Sequence, residues 1–165
     1  MILDTKALTE KVGLADHLSH LDQVGIICAD FDKAVESMRN VFGWEPDVVY
    51  ERTFPWQYRG EDENMSSKIC AYRNHFPIEL EFIQPTGGRS AWQDYLDMGQ
   101  FGLHHLRFNV RDFWGAYQAL LDAGLTVWIT GPGTGPEGLR SAYFDGLDTL
   151  GFVVEIINWH EVNGD

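Results

Sequence analysis

The strongest constraint on this chain is an internal repetition. Gln23 stands second in DQVGIICADF, and His105 stands second in HHLRFNVRDF, 82 residues later. Each run continues at the same spacing into an Asp-Phe pair (Asp30-Phe31, Asp112-Phe113) and then an Ala (Ala34, Ala116). The later parts match as well: Leu80-Glu81-Phe82-Ile83 and Val154-Glu155-Ile156-Ile157 each set one Glu inside an apolar strand. Only two copies of so long a period rule out a solenoid and describe one module used twice. The repetition brings one oxygen- or nitrogen-bearing side chain to each of four corresponding positions.

Each module reads as βαβββ. Residues 22–28 form a Val- and Ile-rich strand, and Asp30 offers an N-cap for a helix over 31–42 that Gly43 closes. Short strands are expected near 47–52, 67–73 and 78–84, with the acidic stretch Arg59 to Asn64 as a turn-prone separator. Ser90 to Met98 reads as a short linking helix. The second half repeats the order: a strand over 104–110, a helix from Asp112 to Ala123, and strands near 125–130, 139–144 and 151–158. The expected class is α+β, with two tandem βαβββ modules forming a cupped, mixed sheet and helices on its convex side. The divisions are an N-terminal extension over 1–20, modules over 21–86 and 103–160, and a linker over 87–102, all in one compact domain.

Strand alternation assigns the faces. His105, Arg107 and Asn109 point one way, and Leu106, Phe108 and Val110 the other. Glu79, Glu81 and Ile83 share a face, as do Val153, Glu155 and Ile157. Gln23 lies opposite Val24, Ile26 and Cys28. A sheet curved toward its polar face gathers Gln23, Glu81, His105 and Glu155 in one cup. Two glutamates within apolar strands need a reason, because a buried carboxylate is costly unless paired or bound to a metal. The mixed N/O set suits Zn²⁺, Ni²⁺, Co²⁺, Mn²⁺ or Fe²⁺. The alternative is a rim position for both glutamates, with His105 and Gln23 satisfied by hydrogen bonds.

These strands resemble a family. GLHHLRFNV, GIICADFDKA, IELEFIQP and GFVVEII are similar to the metal-site strands of the vicinal oxygen chelate superfamily, which includes glyoxalase I, methylmalonyl-CoA epimerase and extradiol dioxygenases. The resemblance spans residues 21–158 and implies a divalent metal held by Gln23, Glu81, His105 and Glu155. The spacing from Ile78 to His105 is most like the epimerase branch. Gln23 departs from the usual His of that branch and resembles the Gln, Glu, His, Glu set of one form of glyoxalase I. It counts against the two-His iron site of the dioxygenases. The implied chemistry is proton abstraction beside a carbonyl or thioester through an enolate, with Glu155 as first candidate base and Glu81 as second. An epimerase or isomerase of a small carbonyl or acyl-CoA substrate leads. A glyoxalase-type lyase, a metal-free binding or resistance protein and an iron dioxygenase are the alternatives.

Charge narrows the partners. A formal charge of −13 argues against nucleic acid and anionic membranes. With Cys28 and Cys70 as the two cysteines, a reduced, cytoplasmic setting is expected. The N-terminus has no continuous apolar stretch of a signal or anchor. Its apolar stripe (Ile2, Leu3, Ala7, Leu8, Val12) suits a helix docking on the body or on the second subunit of an expected homodimer.

Arg107 and Asn109 are candidate substrate-binding residues. Arg107 either meets a substrate anion or pairs with a cup-lining Glu such as Glu79. His104 is expected to face away from His105 as a packed histidine. Phe54, Pro55, Trp56 and Tyr58 form an aromatic cluster in an irregular stretch that walls the cavity or meets a partner. The loop Gly131 to Gly138 is an edge loop or connecting turn. Its prolines and missing Gly-Lys-Ser/Thr ending exclude a phosphate loop.

Overall fold

Alternating apolar and polar positions produce eight strands, which curl into one closed, mixed barrel. The computed structural model describes residues 17–164, apart from 19 and 134. The expected N-terminal helix therefore lies outside the described residues.

The first module comprises β1 (Leu21–Ile27), α1 (Phe31–Phe42), β2 (Val48–Tyr58), β3 (Glu61–Tyr72) and β4 (Glu79–Gly87). A linking helix α2 (Ala91–Asp97) leads to the second: β5 (Gly102–Asn109), α3 (Phe113–Asp122), β6 (Thr126–Pro132), β7 (Arg140–Asp145) and β8 (Val153–Ile157). Short helices α4 (Leu147–Leu150) and α5 (Trp159–Asn163) flank β8. The order around the barrel is β1-β4-β3-β2-β6-β7-β8-β5. Within each module the first strand runs parallel to the last, and the modules join through the antiparallel pairs β1–β5 and β2–β6. Among the described residues no helix is long and apolar enough to cross a membrane.

The helix ends follow their capping residues. Asp30 accepts from Lys33 N–H (3.0 Å), Ser90 from Gln93 N–H (3.1 Å) and Asp112 from Gly115 N–H (2.9 Å). Each satisfies an amide that the first turn leaves without a partner. Gly43 ends α1 in the left-handed conformation (φ 71°), its N–H bonded to Arg39 O.

The β2–β3 hairpin is longer than its sequence implies. Arg59 and Gly60 both have positive φ (52° and 81°), the requirement of a two-residue hairpin turn. Residues 61–64 thereby join β3, and the Phe54–Tyr58 stretch belongs to a regular strand rather than an irregular segment. Pro55 is tolerated because β2 pairs with β6 only at Gln57 and Tyr58, leaving the stretch before them without a neighbour on that side.

Three apolar clusters hold the barrel. Phe31 and Met38 of α1 pack with Cys28, Cys70 and Tyr72 on the convex side of the first module. Phe113, Ala116 and Leu120 of α3 pack with Ala142, Phe144, Val154 and Ile156 on that of the second. The third cluster comprises Ile27, Phe54, Trp56, Ile69, Ile83, Trp92, Tyr143 and Val153.

Candidate active site

Two bulges shape the site. In the β1–β5 ladder, Leu21 pairs with Phe108 and Gln23 with Arg107, so Asp22 has no partner; Gly25 pairs with His105 and Ile26 with Leu103, so His104 has none. Asp22 and His104 occupy corresponding positions in the repeat. A bulge sends neighbouring side chains off the strict alternation. Asp22 thus joins Gln23 at the cavity, where its Oδ1 accepts from Arg107 Nε (2.8 Å). His104 turns its Nδ1 to His105 Nδ1 (3.0 Å) instead of facing away, a correction to the alternation argument.

The four repeat-selected residues converge. Gln23 and His105 are fully buried, and the Glu81 and Glu155 side chains are 13% and 4% exposed. Around His105 Nε2 lie Gln23 Oε1 at 3.3 Å, Glu155 Oε2 at 3.3 Å and Glu81 Oε2 at 4.0 Å. The ladder explains the grouping: Gly25 has Glu81 beside it on β4 and His105 beside it on β5. Gly25 also makes room for the ring, since a Cβ there would lie 1.8 Å from His105 Cε1.

The Gln23 amide has a fixed direction. Its Nε2 donates to Glu79 Oε1, and Arg73 Nε donates to Glu79 Oε2. A carboxylate only accepts, so the amide must turn its NH₂ to Glu79 and its oxygen to His105. Glu155 Oε1 accepts from Ser141 Oγ (2.7 Å), whereas Oε2 is buried with no hydrogen-bond partner.

Burial sets the charges. Burial chiefly pushes Glu81 up to about 8, Arg107 opposing and Glu155 and Glu79 adding to the rise. Glu155 is pushed to about 7 by burial, against the lowering effects of Arg107, Ser141 and Tyr143. Burial, then His104 and Arg107, hold His105 well below the usual imidazole range, and Tyr143 stands well above the usual phenol range for want of solvent beside Glu155 and Glu81. Burial works against the Arg107 charge, but Glu155, Asp22 and Glu81 more than offset it.

Arg107 is already paired: besides Asp22, its Nη2 lies 3.9 Å from Glu79 Oε1. Asn109, expected to line the cup, is not among the cavity residues. Its Oδ1 accepts from His160 N–H (3.0 Å) at the start of α5, so it anchors that helix. The cavity above the site has a volume of about 660 Å³. Phe54, Trp56, Trp92 and Tyr143 wall it, and Gly133 and Trp159 also line it. Ser141, Tyr143 and Arg73 carried no sequence signal of their own; each lies opposite or beside a strand whose polar residue did.

Among the described residues no group of three or more His, Cys, Asp or Glu side chains is arranged to hold a metal ion. What the site offers is one imidazole nitrogen with three oxygens turned toward it, one of them from an amide. The chemistry of that donor set, rather than its present arrangement, suits a divalent cation on one observation. Glu155 Oε2 is buried and unpartnered 3.3 Å from His105 Nε2, a cost that a cation would remove.

Comparison with known proteins agrees with this architecture. A search of curated proteins by sequence gave no significant match. Among solved structures, a Streptomyces coelicolor methylmalonyl-CoA epimerase variant in complex with 2-nitronate-propionyl-CoA is similar at a TM-score of 0.59 and 23% identity, over 84% of this chain and 96% of that one. The epimerase from Mycobacterium tuberculosis matches at 0.58 and 20%, over 87% and 89%. A hypothetical protein from Bacillus halodurans C-125 matches at 0.54 and 14%, over 84% and 92%. These likenesses establish the fold. At the level of sequence, a family profile matches residues 22–144, most of the chain. With its paired βαβββ modules and that match, the chain belongs to the glyoxalase/bleomycin resistance protein/dioxygenase superfamily.

Proposed function

We propose that this protein is a metal-dependent epimerase or isomerase that moves a proton on the carbon beside a ketone or thioester carbonyl. The observation that carries the reading is the pair of carboxylates, Glu155 buried and Glu81 largely so, each within 4.0 Å of His105 Nε2 and raised to about 7 and about 8. A general base works best when its pKa lies near the working pH, and ordinary surface carboxylates lie far below it.

A divalent cation held by Gln23, Glu81, His105 and Glu155 would supply Lewis-acid polarisation of the substrate carbonyl. The protein's own groups do the rest. Glu155 is the first candidate base: its Oε1 is held by Ser141, and its Oε2 is free of hydrogen bonds. Glu81 is the candidate partner, returning a proton to the other face of a planar enolate. The aromatic walls exclude water from that intermediate, and the part-buried Arg107 charge lowers the cost of negative charge nearby. The epimerases of similar fold bind acyl-CoA compounds, which supports a 2-substituted acyl-CoA as the substrate class to try first.

The test is hydrogen exchange in D₂O with methylmalonyl-CoA as the probe, on protein stripped of metal and then reloaded. The reloaded wild type should wash deuterium into the α-position. Glu155→Gln and Glu81→Gln should each slow this by about 10²-fold or more. Exchange that is indifferent to both substitutions and to the metal would sink the proposal.

A further inference from the structure

The contact between His104 and His105 joins two fully buried imidazoles through their Nδ1 atoms, 3.0 Å apart. A neutral imidazole carries one N–H, so one ring donates and the other accepts. Two arrangements satisfy the bond. If His104 donates, the His105 proton sits on Nε2 and points at Gln23 Oε1 and Glu155 Oε2. If His105 donates, its Nε2 presents a lone pair to the same centre. A lone pair facing three oxygens is unfavourable by itself and is the form that a cation requires.

The surroundings of His104 hold its ring in this contact. It is the bulged residue of β5, without a ladder partner. The Tyr95 ring packs edge-on against it at 5.1 Å between centroids, and Tyr95 Oη donates to Leu103 O (2.8 Å), pinning the bulge. His104 Nε2 has no hydrogen-bond partner in a buried position. A plain packing residue at this bulge would need neither the Nδ1 contact nor an unpartnered polar atom.

We propose that His104 is a positioning residue: by accepting from His105 Nδ1–H, it sets the tautomer in which His105 Nε2 offers its lone pair to a divalent cation. The proposal rests on the metal-dependent reading above. The accompanying His104 proton then sits on Nε2, on the side away from His105.

Metal binding to stripped protein tests it, by calorimetry with Co²⁺ or Zn²⁺ alone. His104→Phe fills the space without an acceptor, and should weaken binding by about tenfold or more. His104→Asn keeps an accepting oxygen near the position of Nδ1, and should stay within about threefold of wild type. Wild-type affinity in His104→Phe overturns this proposal and leaves the metal reading standing. An absence of saturable binding by the wild type overturns both. Because substitution of a buried ring can cost the fold, the wild type supplies a second readout. Nitrogen-15 NMR of the Zn²⁺-loaded protein should place the proton of His105 on Nδ1 and that of His104 on Nε2. A proton on His104 Nδ1 in that state overturns the proposal.

Discussion

Gly25 lies against the His105 ring so closely that any side chain at position 25 would occupy the imidazole's place. A Cβ there would meet Cε1 at 1.8 Å, Nε2 at 2.1 Å and Nδ1 at 2.3 Å. The ring is boxed in on another side by Tyr143, edge-on at 5.2 Å, so it has little room to retreat. Gly25→Ala should therefore displace His105 from Gln23 and Glu155 and cost about 1–3 kcal/mol of stability through overpacking. Urea unfolding read by circular dichroism checks the stability, and metal titration checks the site. A variant with wild-type midpoint and affinity would contradict this account of the glycine.

Glu79 controls which end of the Gln23 amide faces inward. The carboxylate takes the Gln23 NH₂ on one oxygen and Arg73 on the other, with Arg107 nearby. Glu79→Gln replaces a pure acceptor by a group that donates as well, so the amide is free to flip. Metal affinity should fall about 10-fold, while the melting temperature changes little because Glu79 is at the cavity rim rather than in the apolar cluster. Glu79→Asp keeps the acceptor and should recover part of the loss. Equal affinities across the three proteins would separate Glu79 from the orientation of Gln23.

The repetition in the sequence revealed the module, its helix caps and the four convergent residues, because each rests on a local rule. Asp30 and Asp112 cap through their own side chains, and period-two alternation places Glu81 with Ile83 and Glu155 with Ile157. That rule fails at the bulges. Nothing local to Asp22 or His104 announces an extra residue, since a bulge is a property of two strands in register. Hence the Asp22–Arg107 pair and the turn of His104 toward His105 were not legible. The hairpin at Arg59-Gly60 was missed for a related reason: Arg59 is a rare non-Gly residue at positive φ, and its acidic neighbours read as loop. Asn109 had the correct parity for the cup, but lies at the end of β5, where the chain of α5 comes close enough to claim its side chain.

Ser141 tunes Glu155 through its side chain. Its hydroxyl donates to Oε1 at 2.7 Å and favours the ionised carboxylate. Ser141→Ala removes that help, so the Glu155 pKa rises above its present value of about 7. If Glu155 is the base, the acidic limb of the kcat/KM profile should move to higher pH in Ser141→Ala. The buried oxygen left without a donor should also cost about 1–3 kcal/mol. A limb that stays in place while stability falls would assign the base role elsewhere, with Glu81 next in line.

The metal-free protein should become less stable as the solution turns alkaline, opposite to the usual behaviour of paired carboxylates. In the folded chain Glu81 and Glu155 titrate at about 8 and about 7, against 4.5 for an unperturbed Glu. Over that window the folded state holds more protons than the unfolded state, so each carboxyl contributes stability that is fully present below 4.5 and lost as pH rises through its folded value. His104, lowered from 6.5 to about 3, acts in the other sense: its contribution is present above 6.5 and lost as pH falls. The two effects oppose each other between 4.5 and 6.5, and above 6.5 the carboxyl slope acts against no imidazole. Urea midpoints in chelator should therefore drop between 6.5 and about 8, and Glu81→Gln, which cannot ionise, should flatten the drop. A divalent cation binds the ionised carboxylates, so its addition should reverse the slope over the same range. A midpoint in chelator that holds steady or rises across this window would mean that Glu81 and Glu155 are ionised in the folded protein without any cation.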